Sequence, residues 1–438
     1  LGNNDQHYWE GGSIVSFNDA NTGLTPAPGG LALAEPTVNV RHRWTASIVL
    51  VNVGINAAFF GPIQVLLGQQ AMHFSPEEKE GILALVTGAG AAVSLVANPL
   101  FGAFSDRTTS RFGRRVPWVF IGALLGTIGL VGLAGAPSVA AMMLLWCLVQ
   151  LGCNGALAAT TAAIPDQVPV RQRGSIGGMA SMGTVLGILM GAAIGAVVAG
   201  NFSLGFIICA VGLVVGMVPY LFFASDPVLD AKDKVPFTWL NFVSGFWISP
   251  RKYPDFAWAW ITRFLVNVGN HLVTLYLLFF LTDAVHHEDP AFGVLVLTGI
   301  YAILTLITAV IGGRWTDKVG RRKPFVIASS AIIALAALIL AFFPTWIGAL
   351  AGAAVLGIGY GVYLAVDFAL LTQVLPSSAS RGKDMGVINV ANSLPQVIAP
   401  IIAWPLVTIL GGYVTLYVTA AVIGLLGAVF VVKIKGVD

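Results

Sequence analysis

Two charged side chains fall inside long apolar stretches of this chain, where an uncompensated charge is costly. Asp367 lies in Gly359-Tyr360-Gly361-Val362-Tyr363-Leu364-Ala365-Val366-Asp367-Phe368, and Arg263 in Trp260-Ile261-Thr262-Arg263-Phe264-Leu265. A carboxyl group in hydrocarbon resists ionisation unless a cation holds it, which suits a cycle of proton uptake and release. Asp367 could also touch a solute directly, or serve as a structural acid bonded to helix-end amides, Arg381 or Lys383. Arg263 could bind solute hydroxyls or a carboxylate, pair with an acid of another segment, or snorkel to the interface near Asp255. His271 adds an imidazole whose ordinary pKa is about 6.5.

Around these charges stand neutral amides at helical spacing. Asn52, Asn56 and Gln64 are offset by multiples of four, as are Gln150 and Asn154 with Trp146 one turn earlier. Asn267, Asn270 and His271 form a third group, and Asn389, Asn392 and Gln396 a fourth. Spacings of three or four keep side chains on one helical face. Such donors and acceptors suit a neutral, polyhydroxylated ligand, with Trp146, Tyr276, Tyr360 and Tyr363 offering flat apolar faces for a ring. The same amides could instead bond helix to helix.

The elements that must carry these groups are membrane helices. Of the 438 residues 57% are hydrophobic and 10% charged, and the mean hydropathy is +0.84, whereas soluble domains run near 25% charged. Twelve apolar runs reach the ~20 residues a bilayer crossing needs: 44–67, 80–101, 116–136, 138–165, 174–199, 203–224, 255–281, 290–312, 324–343, 345–374, 384–410 and 413–433. Backbone polar groups in lipid must be satisfied internally, so these are helices. They are numbered spans 1–12.

Charge sets the topology. Of 23 Lys and Arg, 21 fall before span 1, after span 12 or in the alternate links between them, and the opposite side keeps Lys79. Positive-inside ordering puts both termini in the cytoplasm. The net charge of +3 therefore reflects topology and anionic lipid, with no nucleic-acid partner expected. Residues 1–40, rich in Gly, Asn, Pro, Ala and Thr, read as a cytoplasmic tail. A half-chain of spans covers 41–224, a linker 225–254 with Phe237 to Phe246 as a short interfacial helix, and a second half 255–438. Three cysteines give no disulfide framework, His286 and His287 read as solvated surface, and no metal site, cofactor, phosphate loop or nucleophile–base pair is expected.

The halves echo each other. Val51-Asn52-Val53-Gly54 in span 1 matches Val266-Asn267-Val268-Gly269 in span 7, and Arg173-Gly174 matches Arg381-Gly382. Gly102 with Asp106, Arg107, Arg111, Arg114 and Arg115 is matched by Gly313 with Asp317, Lys318, Arg321 and Arg322. The glycines would admit close helix approach, and the aspartates would bond helix-end amides or arginines across helices. Asp166, ending span 4, joins this group as a gate residue on the cytoplasmic side. Span 5 carries Gly183, Gly187, Gly191 and Gly195 as a smooth packing stripe.

The Gly102 to Arg115 element and its echo resemble the signature of the major facilitator superfamily over residues 42–434. Ser105-Asp106-Arg107-Thr-Thr-Ser-Arg111-Phe112-Gly113-Arg114-Arg115, closed by Pro117-Trp118, is similar to the branch of sucrose–proton and glycoside–cation symporters. Span 5 lacks the Gly-Pro-x-x-Gly-Gly element common in drug–proton antiporters of that superfamily. The resemblance implies an all-α fold of two pseudo-symmetric six-helix bundles and alternating access around a central cavity. The expectation is a monomer-capable symporter in a bacterial plasma membrane, moving a neutral sugar or glycoside with a proton (sodium being the other candidate ion). Asp367 would be the coupling acid and the substance carried a small molecule. A proton-coupled exporter of drugs or metabolites, and a transport-inactive assembly or receptor protein on the same scaffold, are the rival expectations.

Overall fold

The computed structural model describes residues 36–198, 200–224, 226–233, 238–239, 251–373 and 381–435, with backbone alone for Val170, Asp233, Asp317, Phe368, Ala369, 371–373 and 381–389. The first 35 residues and most of the expected interfacial helix lie outside this set, as do the side chains of Asp317 and Asn389. Helices dominate the described residues, and eleven are long and apolar enough to cross a membrane. A twelfth crossing forms if Pro254–Leu275 and Leu277–Asp283, bent by 43°, are one span.

Span 1 runs His42–Phe74 and span 2 Lys79–Ser105. Spans 3 to 6 are Val116–Ala134, Val139–Gln167, Val170–Val197 and Phe202–Phe223. Span 7 is the bent pair, and spans 8 to 10 are Pro290–Val319, Lys323–Phe342 and Trp346–Gln373. Span 11 is Arg381–Thr408 and span 12 Gly412–Val431. Spans 2 and 8 exceed their apolar runs because helix continues into the basic links. Local chemistry sets several starts. The side chains of Ser138, Asn201 and Asp289 accept from amides three residues on, at 3.3, 3.1 and 3.0 Å, satisfying donors a helix N-terminus leaves orphaned. Proline opens the first turn of spans 3, 7, 8 and 9, where its missing N–H costs nothing.

Packing repeats between the halves. Span 1 packs on spans 5 and 6, span 4 on spans 2 and 3, and span 3 on span 6. Span 7 packs on spans 11 and 12, span 10 on spans 8 and 9, and span 9 on span 12. The halves meet through span 2 against span 11 and span 5 against span 8, a reciprocal exchange expected of a pseudo-twofold axis along the membrane normal. The span 5 stripe lies on span 1: a Cβ at Gly183 or Gly187 would sit 2.6 Å from the carbonyl oxygen of Val49 or Val53. Small residues there let two backbones touch.

Spans 1 and 7 both leave α-helical geometry at matching depth. Span 1 carries a π segment, Pro62–Leu66, in which the Leu67 amide reaches back to the Pro62 carbonyl. Span 7 breaks at Tyr276.

Candidate functional site

Asp367 and Arg263 find each other. Arg263 enters span 7 after two turns, Asp367 lies low on span 10, and a guanidinium nitrogen donates to Asp367 Oδ2. The Asp367 side chain is 7% exposed and that of Arg263 11%. A pair so enclosed is stable only if its remaining donors and acceptors are met. Tyr363 donates to Asp367 Oδ1 at 2.9 Å, and Arg263 Nε donates to Asn392 Oδ1 of span 11 at 2.7 Å. Asn267, one turn above Arg263, donates to that same Asn392 oxygen at 3.3 Å. Its own oxygen accepts from the Tyr360 hydroxyl at 3.2 Å. Tyr360 stacks on Tyr301 of span 8 with ring centroids 6.0 Å apart. Three spans are thus joined by one hydrogen-bonded chain.

Tyr360 is also where that chain reaches open space. A cavity of about 350 Å³ lies between the halves, lined by spans 1, 2, 4, 5, 7, 8, 9, 10 and 11. Its polar wall comprises Gln64, Thr87, Gln150, Asn270, His271, Thr274, Thr298, Tyr301, Tyr360 and Gln396, with Trp146 and Phe60 beside them. Among the described residues, no Asp, Glu, Lys or Arg lines the cavity. The rest of the wall is aliphatic, including Ile63, Val273, Leu297 and Leu356. Gln64 Oε1 meets no donor among the described residues.

Some expected cavity residues lie elsewhere. Asn52 and Asn56 are buried between spans 1 and 5, their amides donating to the carbonyls of Ile48 at 2.9 Å and Asn52 at 2.8 Å. Each four-residue step on a 3.6-residue helix turns the face by about 40°, so Phe60 and Gln64 reach the cavity while the two asparagines below them stay against span 5. Asn154 donates to the Gln150 carbonyl and side-chain oxygen, each at 2.9 Å, leaving Gln150 as the residue on the wall. Arg263, Asn267, Tyr363 and Asn392 belong to the acid's network instead of the wall. Tyr276 donates to the Glu80 carbonyl at 2.9 Å across the halves. Thr87, Thr298 and Tyr301 line the cavity without having stood out in the sequence, since single hydroxyls in apolar helices carry no pattern.

On the side opposite the arginine-rich links, Lys79 and Asp283 join the halves. Lys79 donates to Asp283 Oδ1 at 2.6 Å, Tyr413 donates to Asp283 Oδ2 at 2.7 Å, and the Lys79 ammonium lies 5.2 Å from the Phe279 ring centroid. Gly68 faces Leu278 and Phe279 beside them. The sequence did hold the signal: Lys79 is the lone basic residue on a side otherwise emptied of them.

On the arginine-rich side Arg115 joins four elements of the first half. It reaches Asp106 at 2.6 Å, Asp166 at 2.7 Å and Ser105 Oγ at 2.5 Å, while Arg114 reaches Asp166 at 2.7 Å. Asp226, just beyond span 6, accepts the backbone amides of Arg115 and Val116 and so caps span 3. Gly113 at φ +90° packs directly on that carboxylate, in a conformation and a space that exclude a side chain. Burial raises the Asp226 pKa, the two amides and Arg115 offsetting part of the effect. Burial works against the Arg115 charge too, but Asp106 and Asp166 outweigh it and raise the guanidinium's pKa. A Cβ at Gly102 would meet nothing within 4 Å and one at Gly313 would meet Ala365 Cβ at 3.8 Å, so neither glycine is there for close approach. The arginine contacts lie within one half, and the tight approaches of spans 2 and 8 fall on the neighbouring residues, Phe101 against Gly155 and Gly312 against Val362. Arg107 donates to the Ala103 carbonyl at 2.6 Å, Arg111 stacks on Phe112, and Arg321 is exposed beside a half-buried Arg322.

Comparison with known proteins supplies the wider setting. The Major Facilitator Superfamily matches residues 46–298 and 289–437. The multi-drug resistance efflux pump PmrA of Streptococcus pneumoniae is 26% identical over 254 residues, 56% of this chain and 61% of that pump. A putative proline/betaine transporter of Staphylococcus haemolyticus is 24% identical over 291 residues, 60% of this chain and 59% of that protein. The chain therefore spans about three-fifths of the length of these curated relatives. Among solved structures, the nucleoside transporter NupG has a TM-score of 0.71 at 14% identity, covering 89% of this chain and 98% of NupG. A bacterial homologue of the human lysosomal transporter Spinster, inward-facing and unoccupied, has a TM-score of 0.70 at 17% identity, covering 90% and 96%. At such identities the likeness is one of fold.

Proposed function

The chain belongs to the major facilitator superfamily, and from that premise we propose that it is a proton-coupled symporter of a neutral sugar or glycoside. One observation carries the reading: an unbroken hydrogen-bonded chain runs from Tyr360 on a cavity wall without fixed charge to the Asp367 carboxylate. A charged solute would find no counter-ion on that wall, which makes burying it costly. Amides, hydroxyls and His271 suit solute hydroxyls, while Trp146, Tyr301 and Tyr360 suit the apolar face of a ring. The aliphatic remainder suits the aglycone of a glycoside.

Coupling follows from the pair. An ionised Asp367 neutralises Arg263 and ties spans 7 and 10 together. Once Asp367 takes a proton, the attraction falls to that of a neutral hydrogen bond and the tie loosens. We place the arginine-rich links and both termini in the cytoplasm of a bacterial cell, so Lys79–Asp283 closes the outer side and the Arg115 cluster stiffens the inner end of the first half. No second subunit is required by this arrangement.

The test uses purified protein in liposomes holding a pH dye, with phenyl glucosides and simple sugars added outside and no imposed gradient. Internal acidification on solute addition, lost in Asp367→Asn while solute still binds, is the expected result. Internal alkalinisation would instead favour an exporter that exchanges solute for protons. That second reading draws on the likeness to PmrA and on the aliphatic part of the wall. Neither binding nor a pH change across the panel would sink the sugar assignment.

A further inference from the structure

The network between Asp367 and the cavity has a direction, and that direction assigns a role to two asparagines. Arg263 Nε can only donate, so the Asn392 atom it meets at 2.7 Å must be oxygen. Asn267 approaches that same oxygen at 3.3 Å and must therefore present its NH₂ group. Its other end is then an acceptor, and the Tyr360 hydroxyl, 3.2 Å away, must donate to it. Each amide orientation is fixed by the one before it, starting from a group with no acceptor at all. Tyr360, with its single proton committed inward, offers the cavity lone pairs only.

We infer that Asn392 and Asn267 are positioning residues that set Tyr360 as a hydrogen-bond acceptor while Asp367 is ionised, and that protonating Asp367 releases it. The inference rests on the proposal that Asp367 titrates. The solute group that meets Tyr360 in the ionised state must be a donor, a hydroxyl or an N–H, and an ether or ester oxygen is refused there. The weakest step is Asn267 to Asn392: at 3.3 Å it is longer than the usual 2.9–3.0 Å. When the carboxylate is neutralised, Arg263 leans more on Asn392, its remaining side-chain acceptor in this network, and that long bond gives way. Asn267 then turns and the Tyr360 proton is free for a solute acceptor. Among the described residues, the charged and titratable groups around Asp367 are Arg263 from span 7, with Tyr363 and Tyr360 on its own span. Tyr301 of span 8 stands over Tyr360, and span 9 carries no titratable side chain after Lys323.

Proton-induced infrared difference spectra of the full chain in lipid test this without any solute. Wild type should show a carboxyl band that disappears in Asp367→Asn, together with two tyrosine contributions, one removed by Tyr360→Phe and one by Tyr363→Phe. The Tyr360 contribution should report a hydroxyl that donates in the ionised state and no longer does so on protonation. It should vanish in Asn267→Leu and in Asn392→Ala, while the Tyr363 contribution remains in both as an internal sign of intact packing. A Tyr360 contribution that survives both asparagine variants, or is missing from wild type beside a clear Asp367 band, overturns the relay and leaves the coupling proposal standing. Absence of any carboxyl band removed by Asp367→Asn overturns the coupling proposal itself, and the relay with it.

Discussion

The Lys79 ammonium sits 2.6 Å from Asp283 Oδ1 and ties span 2 of one half to span 7 of the other. The two side chains are 13% and 31% exposed, so the pair is partly shielded from water and salt. It stands on the side away from the arginine-rich links, together with Tyr413 and Tyr276. Opening that side requires the pair to part.

Removing either charge should therefore favour the state open on the Lys79 side. Discounting for partial exposure, we expect about 1 kcal/mol, roughly a fivefold shift in the open-to-closed ratio. Spin labels at the exposed positions 137 and 344, in protein free of Cys147, Cys153 and Cys209, would read it as a longer distance. Lys79→Ala and Asp283→Asn should each lengthen it, and the reversed pair Lys79→Asp with Asp283→Lys should restore it. Lengthening in the reversed pair as large as in the singles would deny the ion pair this role.

Asp367→Asn should cost more stability than Arg263→Leu. The first strands a guanidinium that cannot shed its charge, and breaking a buried pair in this way costs about 3–5 kcal/mol. The second leaves a carboxyl group that can discharge by taking up a proton. Asp367→Leu combined with Arg263→Met should recover most of the loss. Thermal unfolding in detergent at pH 7 checks the order, and equal losses would mean that stranded charge is not what destabilises the singles.

Asp226 should make stability pH-dependent. Its pKa is raised in the folded protein, chiefly by burial. The stability it contributes is thus fully present below its unfolded value of 3.8 and is lost as pH rises through the folded one. Asp226→Asn keeps an acceptor for the Arg115 and Val116 amides and should flatten that dependence with little change at acid pH. Asp226→Ala loses the cap and should cost about 1 kcal/mol throughout. Melting curves from pH 4 to 7 separate the two, and an unchanged slope in Asp226→Asn would assign the dependence to another group.

Gln396 is exposed on the cavity wall, so a larger side chain there displaces nothing. Gln396→Trp should abolish solute binding while changing stability by no more than about 0.5 kcal/mol. It should also leave the Asp367 infrared band in place. Binding retained at wild-type affinity would move the solute site out of this cavity.

Much of the fold was legible because it is written locally. Each apolar run is long enough to span by itself, and the sorting of Arg and Lys orders the links without reference to packing. Even the pairing of halves was visible, through Gly102 to Arg115 and Gly313 to Arg322. Asp367 and Arg263 stood out for the same reason, being charges in the wrong solvent. The phase of a helix was not legible. Asn52, Asn56 and Gln64 lie at multiples of four, yet each such step drifts by about 40° on a 3.6-residue helix, and Gln64 reaches the cavity while the asparagines stay against span 5.

The sequence by itself determined the number of spans, the side that gathers positive charge and the two intramembrane charges, because hydropathy and charge act residue by residue. Tertiary structure alone decided partners: Arg263 with Asp367 and Asn392, Asp226 under span 3, Lys79 with Asp283. Those choices join residues from 104 to 204 positions apart, and the bonds are short-ranged. Only packing of the spans brings such groups within reach.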